Sequence, residues 1–114
     1  MWGICFDYTV CEGKVLPTEL FHLVVEYEPS ADGGTANITY PVKGILIAID
    51  KIRQLEQPPR FVDGDLVSPV SHPELVGAIH EIRWHFNRQE YMYFITVNGK
   101  KKSKRYYFDD LIKR

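Results

Sequence analysis

From Tyr91 to Val97 the apolar pattern has a period of two: Tyr91, Tyr93, Ile95 and Val97 occupy alternate positions. A strand sends successive side chains to opposite faces, so this series predicts a strand packing those four residues into a core or across to a neighbour. Residues Gly77 to Phe86 are likewise rich in β-branched and aromatic side chains, which suit a pleated, half-buried surface. Asn98-Gly99 follows the Tyr91 series at once, and this dipeptide is the strongest short-range signal for a two-residue type I′ hairpin. Tyr91–Val97 is therefore expected to pair antiparallel with Ser103–Phe108. Upstream, Phe61-Val62-Asp63-Gly64-Asp65-Leu66-Val67 reads as a tight turn through Gly64 into another strand.

The first half is less regular. Trp2–Val10 alternates imperfectly and reads as a strand, ended by a loop at Gly13 and Pro17. Pro17-Thr18-Glu19-Leu20 has the form of a helix start, with Thr18 as N-cap and Glu19 in the first turn. Leu20, Leu23, Val24 and Tyr27 then fit a helix face, while Val24, Val25 and Tyr27 also have strand character; a short helix is the expectation. Pro29–Gly34 is a polar loop, expected to be the most mobile segment. Asn37–Tyr40 and Gly44–Ile49 read as a hairpin across Pro41-Val42-Lys43, the unbroken apolar run of the second arm predicting a strand buried on both faces. Asp50–Leu55 reads as a short helical turn capped by Asp50, and Pro58-Pro59 marks the internal boundary.

These elements predict a mainly β protein. Residues 1–57 would form a β-rich subdomain with one short helix and residues 58–114 a small barrel, the two either separate or one composite domain. Halves of that size fold alone only marginally, because domains of about 60 residues bury only about 60% of their chain surface. A short repeat leaves a duplicated barrel open: Asp50-Lys51-Ile52-Arg53 and Asp109-Asp110-Leu111-Ile112-Lys113-Arg114 both place an acidic residue ahead of an apolar-basic ending.

Composition changes this picture in one respect. A hydrophobic fraction of 45% is ordinary for a globular chain and argues against disorder. The net charge of −1 conceals an asymmetry: residues 1–56 carry four basic and eight acidic side chains, and residues 57–114 carry ten and seven. The split is compatible with a basic binding face on the second half and equally with attraction between the two halves. No apolar run approaches the ~18 residues of a membrane span, and no signal peptide is visible, so a cytoplasmic location is expected. Cys5 and Cys11 then read as reduced thiols, since C-x5-C lacks zinc-knuckle spacing and has no second pair.

Gly64-Asp65-x-Val67, Gly77-x-Ile79-x-x-Ile82, an aromatic strand, a hairpin, a further strand and a terminal Asp109-Asp110-Leu111 turn together resemble the SH3-like small barrels, with Tudor and chromo-barrel relatives most similar. The resemblance implies a fold, and for Tudor-type proteins an aromatic cage for a methylated amine, for which Trp84 and Tyr93 are the nominees here. Over its whole length the chain resembles a small bacterial family of unknown function, through Trp2-Gly3-Ile4, Pro17-Thr18-Glu19-Leu20, Trp84-His85-Phe86 and Asn98-Gly99 with the basic run to Tyr106. That likeness implies no activity.

Candidate chemistry is sparse. Lys100, Lys101, Lys102, Lys104 and Arg105 form the densest charge, suited either to phosphate contact or to guarding an edge strand against aggregation. His80 and His85 are five residues apart, on opposite faces of a regular strand unless a bulge reunites them; with His22 and His72 they lack carboxylates at ligand spacing, so no metal or cofactor is expected. No nucleophile elbow or Gly-rich phosphate loop is present, which argues against an enzyme. The expectation is a non-enzymatic bacterial binding module, of the accessory or immunity type, whose partner is another protein. Trp84, His85, Phe86, Arg88 and Tyr91, around the Asn87-Arg88-Gln89 turn, are the contact candidates. The alternative is nucleic-acid binding through the Lys100–Arg105 hairpin. Oligomeric state has no signature in the sequence.

Overall fold

The computed structural model describes residues 1–5, 10–11, 14–15 and 24–114. Among these the chain is mainly β, and it divides into two compact units, Met1–Pro58 and Pro59–Arg114.

The first unit holds β1 (Trp2–Cys5), a small ribbon of β2 (Val10–Cys11) and β3 (Lys14–Val15), then β4 (Val24–Pro29), β5 (Thr35–Tyr40), β6 (Ile45–Ala48) and β7 (Ile52–Gln54). Five of them form an antiparallel sheet in the order β6-β5-β4-β1-β7. Its core joins Cys5, Val25, Tyr27, Ala36, Ile38 and Ile47, with Ile45, Ile49 and Ile52 packed against them. Gly3 lies where β1 meets both neighbours: a Cβ there would come within 2.5 Å of Ile52 Cγ2 and 2.8 Å of the Arg53 carbonyl oxygen. Only glycine permits that approach.

Three expectations for this unit are corrected. The helix anticipated from Leu20 to Tyr27 is a strand from Val24 onward, because Val24, Val25 and Tyr27 are buried between ladders to β1 and β5; its start at Thr18 lies outside the described residues. The turn at Asp50 is a 3-10 turn over Ile49–Lys51, preceded by Ala48 with no side-chain cap, and Ile52–Gln54 returns as a strand on β1. β6 ends the sheet and buries only Ile47 fully, so its apolar run is not enclosed on both faces.

The second unit holds β8 (Leu66–Pro69), β9 (Gly77–His85), β10 (Glu90–Val97), β11 (Lys100–Lys101) and β12 (Leu111–Lys113), in the order β11-β10-β9-β8-β12. With the five sheet strands of each unit counted in chain order, the two sheets have one topology: a four-strand meander, then a last strand returned to the outside of the first. A short turn precedes that last strand in both, Ile49–Lys51 in one and Phe108–Asp110 in the other. These turns carry the acidic residues of the repeat.

Alternation along β10 is as expected: Tyr91, Tyr93, Ile95 and Val97 are all buried. β9 departs from it, because Phe94 pairs with Glu81 and Ile95 with Ile79, leaving His80 as an extra residue. That bulge lets Ile79 and Ile82, three apart, share the buried side. Asn98 and Gly99 both have positive φ, 51° and 76°, the signature of a type I′ turn. The return arm differs from expectation. Pairing covers Lys100 and Lys101, lapses from Ser103 to Arg105, and resumes only where Tyr106 exchanges hydrogen bonds of 2.7 and 3.0 Å with Tyr93.

Gly99→Val should lower stability by ~1–3 kcal/mol, because a β-branched residue is strained at that φ; a denaturant midpoint equal to wild type would refute the turn assignment. Burial pushes the Cys5 thiol up from 9.0 to about 11. The folded state therefore binds this proton more tightly than the unfolded chain. The resulting stability is fully present below pH 9 and lost as pH rises toward 11, with buried Tyr27 shifted the same way. Peptide mapping after alkylation at pH 8 should find Cys5 protected in the native protein and modified in denaturant.

Candidate functional site

The β9–β10 turn gathers most of the proposed contact residues. β9 and β10 place Trp84 opposite Tyr91 and His85 opposite Glu90, and four residues close the loop. The His85 carbonyl accepts the Gln89 N–H at 2.8 Å, and His85 Nδ1 accepts the Arg88 N–H at 3.0 Å. Gln89 takes φ 55°, a left-handed conformation uncommon for a non-glycine residue, and its side-chain amide donates to the Phe86 carbonyl at 2.6 Å.

Arg88 is held on two sides. Its Nε donates to Glu90 Oε2 at 3.0 Å, and its guanidinium carbon lies 3.8 Å from the centre of the Tyr107 ring. The hydrogen bond to Glu90 is the main reason its pKa lies above the ordinary arginine value. Tyr107 also faces His85, ring centres 6.2 Å apart, and its own N–H donates to Asp110 Oδ2 at 2.9 Å. Phe86 is 42% exposed, and Trp84 and His85 are half-buried. Tyr91 does not belong to this surface. It is 9% exposed and meets Trp84 edge-on at 5.0 Å, and burial raises its hydroxyl pKa.

Tyr93 is wholly buried, so it cannot line an open aromatic cage. Its ring meets Phe61 edge-on at 5.1 Å, and its hydroxyl accepts the Arg60 backbone N–H at 2.8 Å. The Arg60 side chain occupies the aromatic pair nearby, its guanidinium 4.8 Å from the Phe61 ring centre and 4.7 Å from that of Phe108. It also donates to the carbonyls of Phe108 and Leu111. The cation–π seat in this part of the fold is thus filled from within.

Lys100, Lys101, Lys102, Lys104 and Arg105 are all exposed, with Lys104 Nζ 5.3 Å from the Tyr106 ring centre. The β9 bulge puts His80 and His85 on one side of their strand by count. Among the described residues no three His, Cys, Asp or Glu side chains could together hold a metal ion, and no helix is long and apolar enough to cross a membrane. His22 and the Cys11 side chain lie outside the described residues.

Sequence reasoning missed two features. Arg60 and Tyr107 lacked any local motif, because their roles come from residues 48 and 19 positions away. It also missed the outer face of the β8–β12 pair. There Leu66 and Ile112 lie exposed on either side of buried Ser68, alternating along their strands with buried Val67 and Leu111, with exposed Val70 just beyond β8.

A family model for a family of unknown function, DUF6960, matches residues 17–112. The chain belongs to that family. Because the match crosses Pro58-Pro59, one family module takes in residues of both units. No curated protein and no solved structure matches the chain.

Arg60→Ala should destabilise the protein by ~1–3 kcal/mol through its lost carbonyl and ring contacts, and Tyr93→Phe by ~1–2 kcal/mol through the donor left without its hydroxyl acceptor. Urea unfolding of the two variants checks both values.

Proposed function

We propose that this family member is a non-enzymatic binding module of two SH3-like barrels, whose second unit grips another protein through the β9–β10 turn. The four-strand meander with its last strand returned to the first, reached through a short turn, supports the SH3-like assignment for both units. The bulge in β9 supplies the bend that a sheet needs to curl.

The braced Arg88 carries the functional reading. Interface anchors combine aromatic and arginine side chains whose freedom is already restricted, so little conformational entropy is lost on binding. Arg88, stacked on Tyr107 and tied to Glu90, has that character; His85 accepts its N–H and Phe86 lies exposed in the same turn, whereas Trp84 packs on Tyr91 across the strand pair. The exposed apolar pair Leu66 and Ile112 favours a protein partner over a polyanion, since such groups contribute when buried against apolar surface. An accessory or immunity-type role in a bacterial cytoplasm suits a module of this kind.

Nucleic-acid binding through Lys100, Lys101, Lys102, Lys104 and Arg105 is the second reading, favoured by the exposure of all five. The chain's net charge of −1 supplies no steering field for it.

Capture of partners by the tagged protein from its native lysate, with and without nuclease, separates the two. Phe86→Ala and Arg88→Ala should each abolish nuclease-resistant capture, while replacing the four lysines with Gln should leave it nearly unchanged. Capture lost on nuclease treatment and in the four-Gln variant would overturn the protein-binding reading.

A further inference from the structure

We infer that the partner segment is acidic and extended, and that Arg88 seats one of its carboxylates at the end of a basic edge running along β10. This rests on the proposed contact face at the β9–β10 turn and adds the chemistry of what binds there.

Two observations carry it. The first is the state of Arg88. Its Nε edge is taken by Glu90 and one face by Tyr107, and among the described residues its two terminal nitrogens have no hydrogen-bond partner. The side chain is 51% exposed. A guanidinium fixed in plane with its terminal fork free is preorganised for bidentate capture of a carboxylate, which a lysine in its place would not reproduce.

The second is topology. One edge of β10 is covered by β9; along the other run Lys100 and Lys101, then Tyr106 opposite Tyr93. The next residue, Tyr107, is the one on which Arg88 stacks. The segment from Lys100 to Tyr107 therefore connects two clusters that the sequence presented as rivals. Lys100, Lys101, Lys102, Lys104 and Arg105 lie toward one end of the β10 edge and Arg88 at the other. Glu90, the acidic residue of β10, is committed to Arg88. An extended acidic segment would meet cations along its length and find its one geometrically demanding contact at Arg88, beside the exposed Phe86 in the same turn. That graded arrangement suits a protein segment of spaced carboxylates and apolar side chains better than the uniform charge of a nucleic acid.

The test is NMR titration of the full chain, reading the Arg88 Nε resonance and the backbone amides of residues 100–107. The probes are a capped peptide alternating Glu with Phe, its Gln counterpart, and a single-stranded oligonucleotide. The Glu peptide should shift both sets of signals in a salt-dependent manner, and the Gln peptide neither. Arg88→Lys should weaken Glu-peptide binding about tenfold, the loss expected for one bidentate charge-assisted contact, while the four-Gln variant should chiefly flatten the salt dependence. Equal responses to the Glu and Gln peptides, indifference to Arg88→Lys, or tighter binding of the oligonucleotide would each overturn the inference. Failure of the Glu peptide alongside partner capture that still requires Phe86 and Arg88 would overturn the acidic chemistry alone. Capture unaffected by both turn variants would overturn the contact face itself.

Discussion

Tyr93 is the residue on which the second unit turns. Its backbone pairs with Ile82 on one side and Tyr106 on the other, its ring lies edge-on to Phe61, and its hydroxyl accepts the Arg60 N–H. Burying a phenol without a partner for its hydroxyl would cost stability, and here the chain just after Pro58-Pro59 supplies the donor. Arg60 then reaches the carbonyls of Phe108 and Leu111, which anchors the turn before β12. One buried side chain thus ties together the beginning, middle and end of the unit. The placement of the edge bearing Lys100–Arg105 and Tyr107 depends on it, because Tyr106 returns to the ladder only opposite Tyr93.

The two units use the same strand order for different ends. In the first, the turn between the second and third strands of the meander is small and polar. Asp32 Oδ1 accepts the N–H groups of Gly34 and Thr35, and the Ser30 N–H donates to the Thr35 carbonyl. The equivalent turn of the second unit carries Phe86, Arg88 and the left-handed Gln89. A turn that needs only to reverse the chain is satisfied by a short side chain and glycines. Arg88 and Phe86 at the same topological position exceed that need, which is why the contact surface is proposed for the second unit. Strain at Gln89 fits the same assignment, since sparsely populated conformations concentrate where a site requires them.

Local signals in the sequence match the structure where pattern and fold share one cause. The period-two burial of Tyr91–Val97 and the type I′ turn at Asn98-Gly99 follow from backbone geometry within a few residues, so they were legible without a fold. The aromatic-basic turn that carries Phe86 and Arg88 between two strands is likewise visible in the sequence. Tyr91 faces inward, as its own alternation indicates, and not onto that surface. The cage nominee Tyr93 failed for the same reason.

What the sequence left to tertiary structure were choices between near-equal local states and contacts across long separations. Val24–Tyr27 has helix spacing and strand residues at once, and ladders to β1, 20 to 24 positions away, and to β5, 11 to 14 positions away, decide for the strand. The bulge at His80 changes which residues face inward, yet only the register against β10 reveals it. Arg60 on Phe108 and Arg88 on Tyr107 have no periodic signature, because a cation meets a ring wherever the fold brings them together. By itself the sequence determined that this chain is mainly β, where its tightest hairpin lies and which half is basic. Only the tertiary structure decided that the basic run and the aromatic turn lie along one strand edge, since that depends on Tyr106 pairing with Tyr93 beyond the gap in the ladder.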